Sequence, residues 1–345
     1  MYDKLLKWSG IIGSMMMVFM IAGMLVYSSK KGLVYVQAQG QPESAEQPAD
    51  DKIQELILMI PEEKENQNKF YIPVADTVTQ DAIRIENDSV NHCLKIWIDG
   101  MKPAFYEQNP MYGKTEGIEQ IRAGRQNEGI AIFVMMDHLY EYEAVLENQK
   151  LGLVFYRPSQ LYDNIVVLDV GHGGNDKGVS LNGINEAELV MDVAERIKKQ
   201  LEENGICVYL TRGSQDSPDD AQRITFAKEA EADLYLSLHL SDDTEYGISA
   251  YYNAAYFVPG INNAMFADLL VRETASAVNN RGNGVYAVDS LDEEELLNQL
   301  ETVAARLILG CPSNAQEAAL LKRSDYREDL ASGISRAIQE CLEER

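Results

Sequence analysis

Apolar and polar positions change their rhythm twice along this chain. Between Trp8 and Tyr27 the residues are apolar or small and carry no charge. At 1.5 Å per residue that run is long enough to cross a hydrocarbon layer about 30 Å thick, so 8–27 is predicted to be a transmembrane helix. Residues 69–160 carry instead short alternating runs, at 93–98, 129–134 and 151–156, separated by polar turns. These predict a small β-rich domain, a sheet or sandwich. Beyond Asn164 the rhythm alternates between strand and helix. Strands are expected at 165–170, 206–210, 234–238, 248–252 and 304–309, and helices at 186–203, around 264–278 and at 325–341. In the first of these helices Leu189, Val190, Val193, Ala194, Ile197 and Leu201 recur at spacings of three and four, and Gly205 follows as a stop signal. The expected class for 163–345 is therefore α/β, with a mostly parallel sheet flanked by helices and a site at the carboxyl ends of its strands.

The N-terminus is read as a cytoplasmic tail over 1–7 followed by the anchor at 8–27. Lysines flank the span on both sides (Lys4 and Lys7, Lys30 and Lys31), so the positive-inside rule gives only a weak orientation, taken here with the N-terminus inside. A signal peptide cleaved after Ala38 is the competing reading. Either one puts the body of the protein outside the cytoplasm, with the uncleaved form a single-pass protein of the cell membrane. Residues 28–68, rich in Gln, Glu, Ala and Pro over 36–55, are expected to be a flexible linker.

Charge narrows the partners. The 345 residues include 55 acidic and 30 basic side chains, a net charge of -25, which opposes binding to nucleic acid. The four cysteines show no C-x-x-C pair and are expected to be small buried hydrophobes, forming neither a disulfide framework nor a zinc ribbon.

Three side chains stand where the strand-end rule puts chemistry. His172 follows the first strand of the α/β region, Glu186 opens its first long helix, and His239 ends the strand at 234–238. Two imidazoles and a carboxylate form a three-ligand set that leaves a fourth zinc position open. Each also has a plainer reading: a histidine after a strand is commonly a satisfied polar group, and Glu186 suits the positive end of a helix. Glu188, three residues after Asn185, reads as half of a capping box. His92 and His138, isolated near strand ends, read as ordinary histidines.

Taken together, the segments Asp169-Val170-Gly171-His172-Gly173-Gly174, Gly183-Ile184-Asn185-Glu186, Leu210-Thr211-Arg212, Leu236-Ser237-Leu238-His239, Asn280-Arg281-Gly282 and Ser313-Asn314 resemble the type 3 zinc-dependent N-acetylmuramoyl-L-alanine amidases over 164–345. The middle region resembles the AMIN domain that often precedes cell-wall amidases. The first resemblance implies zinc bound by His172, Glu186 and His239, peptidoglycan as partner, and Arg281, Ser313 and Asn314 near the substrate groove. The chain departs from the family at Val170, at Ser241 and above all at Ile308, where the family carries its catalytic glutamate. That glutamate takes a proton from water and returns one to the leaving amine, which isoleucine cannot do. Glu301 lies seven residues earlier, about 23 Å of extended strand. Glu317 reads as a capping-box residue and 292–295 as a solvated helix face. Two expectations follow: a zinc amidase that hydrolyses the amide between N-acetylmuramic acid and L-alanine, or a catalytically impaired pseudo-amidase that binds peptidoglycan or a cell-wall partner.

Overall fold

The computed structural model describes residues 33–35, 53, 56–64, 67–241, 243, 246–255, 260–289, 291–292 and 295–344. The chain divides into two units, before and after the Tyr156–Arg157 junction. The expected membrane span at 8–27 lies outside the described residues, among which no helix is long and apolar enough to cross a membrane.

Eleven described strands build the first unit: β1 (Leu33–Tyr35), β2 (Leu56–Met59), β3 (Glu62–Glu63), β4 (Phe70–Pro73), β5 (Ile83–Asp88), β6 (Cys93–Asp99), β7 (Tyr112–Gly113), β8 (Ile118–Gln126), β9 (Gly129–Met136), β10 (Glu141–Glu147) and β11 (Lys150–Tyr156). They form two sheets, ordered β1-β2-β8-β9-β6-β5 and β10-β11-β4-β7-β3. Alternation drives the layering. Leu94, Ile96 and Ile98 of β6 bury on one side while Lys95 and Trp97 turn outward. They share a core with Phe70 and Ile72 of β4 and Leu151 and Leu153 of β11. The linker expected at 28–68 needs correction, because β2 pairs antiparallel with β8 and buries Ile57 and Met59. Its run of four apolar residues is too short to show a period, yet it completes a sheet.

The second unit is an α/β layer structure. Strands β12 (Ile165–Val170), β15 (Cys207–Leu210), β16 (Leu234–His239), β17 (Ile248–Tyr252), β18 (Gly282–Ala287) and β19 (Val303–Ile308) form one sheet in the order β15-β12-β16-β19-β17-β18, and a short hairpin joins β13 (Ser180–Leu181) to β14 (Ile184–Asn185). All pairs in the large sheet are parallel except β17 with β19. The helices are α1 (Glu186–Glu202), α2 (Asp220–Glu229), α3 (Asn263–Ala277), α4 (Ala315–Leu321) and α5 (Ser324–Glu343). Sequence periodicity located α1, α3 and α5 to within about two residues but left α2, α4 and β18 unassigned. The first two are short and β18 buries none of its residues, so none carries a strong apolar period.

Period two decides what the sheet offers. Val166, Leu168 and Val170, Leu236 and Leu238, and Ala305 and Leu307 join the core that contains the apolar stripes of α1, α3 and α5. The alternate positions therefore present Asp169, Ser237, His239, Arg306 and Ile308 on the opposite face. All four described cysteines are free and buried, as their scatter implied.

Candidate metal centre

His172, Glu186 and His239 come from three separate segments and converge. Their potential ligand atoms all lie within 4.8 Å of one another. Glu186 is only 1% exposed, at the first turn of α1, and its Oε1 lies 3.2 Å from His172 Nε2 and 3.0 Å from His239 Nδ1. The same oxygen accepts from the Leu240 amide at 2.9 Å, and Oε2 accepts from the Val179 amide at 2.8 Å. Burial pushes the Glu186 carboxyl up, but the two imidazoles and two amides outweigh it and hold the group well below the usual carboxylate range. In return Glu186 carries His172 up to about 9, against burial and with help from Asp176.

Backbone geometry explains the glycine-rich surroundings. His172 itself adopts φ 60°, a left-handed conformation that aims its ring into the site. A Cβ on Gly178 would sit 2.5 Å from Glu186 Oε2, and one on Gly171 would sit 2.8 Å from both ring nitrogens of His239. Only hydrogen lets these segments of chain pass so close to the three candidate ligands.

Asp176, which sequence reasoning passed over, accepts from His172 Nδ1–H at 2.8 Å, and so fixes that ring with Nε2 toward Glu186. Beneath the site, Asp169 is buried between the Arg223 guanidinium (2.5 Å), Ser237 Oγ (2.6 Å) and Thr211 Oγ1 (2.9 Å). Burial pushes its carboxyl up, yet the Arg223 charge and the Ser237 hydrogen bond bring it below its ordinary value. Arg223 also donates to the carbonyls of Val170 and His172, and Arg212 to those of Val170 and Gly171. Two buried guanidinium groups thus clamp the turn that carries His172. The donor set, its orientation by Asp176 and its opening to a cleft fit zinc in a three-ligand site.

The cleft has a volume of about 730 Å³ and is lined by the three candidate ligands together with Arg223, Leu296, Arg306 and Ile308, among others. Ile308 ends β19 in register with His239 on β16. The position where the family resemblance expects a catalytic carboxylate therefore lies beside the candidate ligands, and it is apolar. Arg281, Ser313 and Asn314 are not among the described residues lining this cleft. Arg281 is exposed near the Tyr246 ring, Ser313 Oγ donates to the Asp243 carbonyl at 2.8 Å, and Asn314 caps α4 by accepting from the Gln316 and Glu317 amides. Glu317 is not the capping-box partner expected of it. It is buried, and it accepts from the amides of Gly247 and Cys311 and from Asn280 Nδ2, tying three loops together.

Comparison with known proteins matches this second unit. The family model described as N-acetylmuramoyl-L-alanine amidase matches residues 166–340, just over half of the chain. The chain is 26% identical over 177 residues to N-acetylmuramoyl-L-alanine amidase LytC of Bacillus subtilis strain 168, covering 49% of this chain and 34% of LytC. It is 28% identical over 204 residues to the germination-specific N-acetylmuramoyl-L-alanine amidase of the same organism, covering 54% of this chain and 82% of that protein. Among solved structures it resembles the catalytic domain of CwlV from Bacillus (Paenibacillus) polymyxa var. colistinus, at 25% identity and a TM-score of 0.47, covering 53% of this chain and 99% of that one. The match falls on the segments that hold His172, Glu186 and His239, and the chain belongs to the N-acetylmuramoyl-L-alanine amidase family.

Proposed function

We propose that the second unit acts on bacterial peptidoglycan as a zinc-dependent N-acetylmuramoyl-L-alanine amidase, cleaving the amide between N-acetylmuramic acid and L-alanine. The observation that carries this reading is the convergence of His172, Glu186 and His239 in the lining of the cleft. Zinc held there by His172, Glu186 and His239 would supply Lewis acidity toward the amide carbonyl and lower the pKa of the attacking water. The chain's own residues do the rest. Asp176 holds His172 in its ligating orientation, and Arg212 and Arg223 keep the 170–172 backbone from shifting. Ile308 neither takes nor returns a proton, so turnover lacks a contribution of roughly 10²- to 10⁴-fold.

That same residue favours a second reading, in which the cleft binds peptidoglycan or a cell-wall partner as an impaired pseudo-amidase. The test is to incubate the full chain with zinc and purified peptidoglycan and to follow released stem peptides by mass spectrometry. Release that is slow, stops with a chelator and is absent from His239→Ala supports the amidase. Co-sedimentation with peptidoglycan and no release supports the binding protein. We further propose that the uncharged span at 8–27 tethers the chain to the cell membrane with both units outside. A mature N-terminus near Gln39, read by sequencing, would replace the tether with a cleaved signal.

A further inference from the structure

Arg306 is a cation in the cleft that the proposed chemistry leaves without a task. It lies on β19 two residues before Ile308, on the polar face of the sheet, and lines the same cleft as the three candidate ligands. Its Nη2 donates to the carboxylate of Glu295, which opens the short 3-10 turn Leu296–Gln299. Its Nε is buried and has no hydrogen-bond partner. Its side chain is nevertheless 28% exposed, so part of the group is open to a ligand entering the cleft.

The other guanidinium groups near the cleft are already engaged. Arg212 donates to the carbonyls of Val170, Gly171, Ala187 and Gly213, and Arg223 to Asp169 and to the carbonyls of Pro218, Val170 and His172. Of the two arginines among the described residues lining the cleft, Arg223 is only 7% exposed and Arg306, at 28%, is the one open to a ligand. Its surroundings favour a carboxylate. Leu296 and Ile308 line the cleft beside it, which lowers the local dielectric and strengthens an ion pair. The Glu295 contact shows that the guanidinium already accommodates a carboxylate at one edge, and its planar fork matches that group in shape. Asp176 and Asp220 elsewhere on the lining disfavour a doubly charged phosphate more than a singly charged carboxylate.

We propose that Arg306 is a specificity-determining residue that binds a carboxylate on the peptide portion of the ligand, so that the cleft selects free-acid stem peptides over amidated ones. This rests on the reading that the cleft takes peptidoglycan peptides. The test uses the full zinc-loaded chain and two synthetic muramoyl peptides that differ only in carrying a carboxylate or a carboxamide on the residue after L-alanine. Calorimetry should show the acid bound roughly ten- to a hundredfold more tightly, the range of a hydrogen bond to a charged group. Arg306→Met should lower the acid's affinity to that of the amide while zinc content stays unchanged, and Glu295→Gln, which keeps the guanidinium, should preserve the preference.

The comparison on the unaltered chain needs no variant to fold. Equal binding of both peptides by that chain would overturn the Arg306 assignment and leave the peptidoglycan reading standing. Binding of neither peptide by zinc-loaded protein would overturn both. An Arg306→Met chain that keeps zinc and still prefers the acid would transfer the role to another residue.

Discussion

The two halves of the cleft are built to different standards. The half formed by β12, β16 and the start of α1 presents His172, His239 and Glu186 on a foundation of buried polar groups, with Asp169, Thr211, Ser237, Arg212 and Arg223 saturating one another and the nearby carbonyls. The half formed by β19 presents Arg306 and Ile308, with an unpartnered guanidinium nitrogen and an aliphatic side chain at the strand end. The contrast separates two capacities that a hydrolytic zinc site needs together. Holding a metal takes three converging lone pairs locked by their neighbours. Moving protons takes one carboxylate, which a single side chain can supply or remove without disturbing the first capacity.

The most drastic way to break this comparison is to remove a ligand from the ordered half. His172→Ala or His239→Ala should each reduce bound zinc from about one per chain to none after dialysis, read by metal analysis. Zinc retained in both variants would sink the ligand assignment. Because His172 is carried up to about 9 without metal, a proton competes for its ring, and apparent zinc affinity should fall as pH is lowered below about 9.

Next in size is the foundation. Asp169→Ala leaves the Arg223 charge buried and unpaired, which should cost about 3–5 kcal/mol in denaturant unfolding. The sign with pH is fixed by the depressed Asp169 carboxyl. Its contribution is complete above the unfolded value of about 4 and is lost as pH falls through the lower folded value. An Asp169→Ala chain as stable as its parent at pH 7 would show that this network does not brace the ligands.

The comparison is sharpened from the other half by Ile308→Glu. A carboxylate in register with His239 should restore proton transfer and raise muropeptide amide cleavage by about 10²-fold, equivalent to about 2.7 kcal/mol of barrier. No gain in a variant that folds and holds zinc would favour the binding reading. Asn314→Ala is the smallest test. Loss of the α4 cap should cost about 1 kcal/mol of stability with peptide affinity unchanged, and a large fall in affinity would return Asn314 to the substrate groove.

Much of this was legible along the chain because it depends on local rules. The three-and-four spacing of α1 and the period-two run of β6 record which faces are buried, and the structure buries those faces. His172, Glu186 and His239 could be singled out because each ends or begins a predicted element, where open α/β sheets collect their chemistry. Glu317 shows where such reasoning stops. Its spacing from Asn314 is that of a capping box, yet its carboxylate serves amides some 70 and 6 residues away in sequence. Asp176 was missed for a similar reason, since nothing in Gly-Gly-Asn-Asp marks the acid as a partner for the imidazole four residues before it.

The sequence by itself determined the two-part β then α/β organisation, the choice of His172, Glu186 and His239 as candidate metal ligands and the absence of a glutamate at position 308, because side-chain chemistry and the periods of helix and strand are written residue by residue. Tertiary structure alone decided that Ile308 and Arg306 share a cleft with the trio, that Arg212 and Arg223 spend their donors on its backbone, and that Glu317 fastens loops rather than a helix end. Those facts follow from strand order and from which buried donors and acceptors meet across dozens of residues. No local pattern encodes such meetings, because each is set by the packing of elements whose positions only the completed fold specifies.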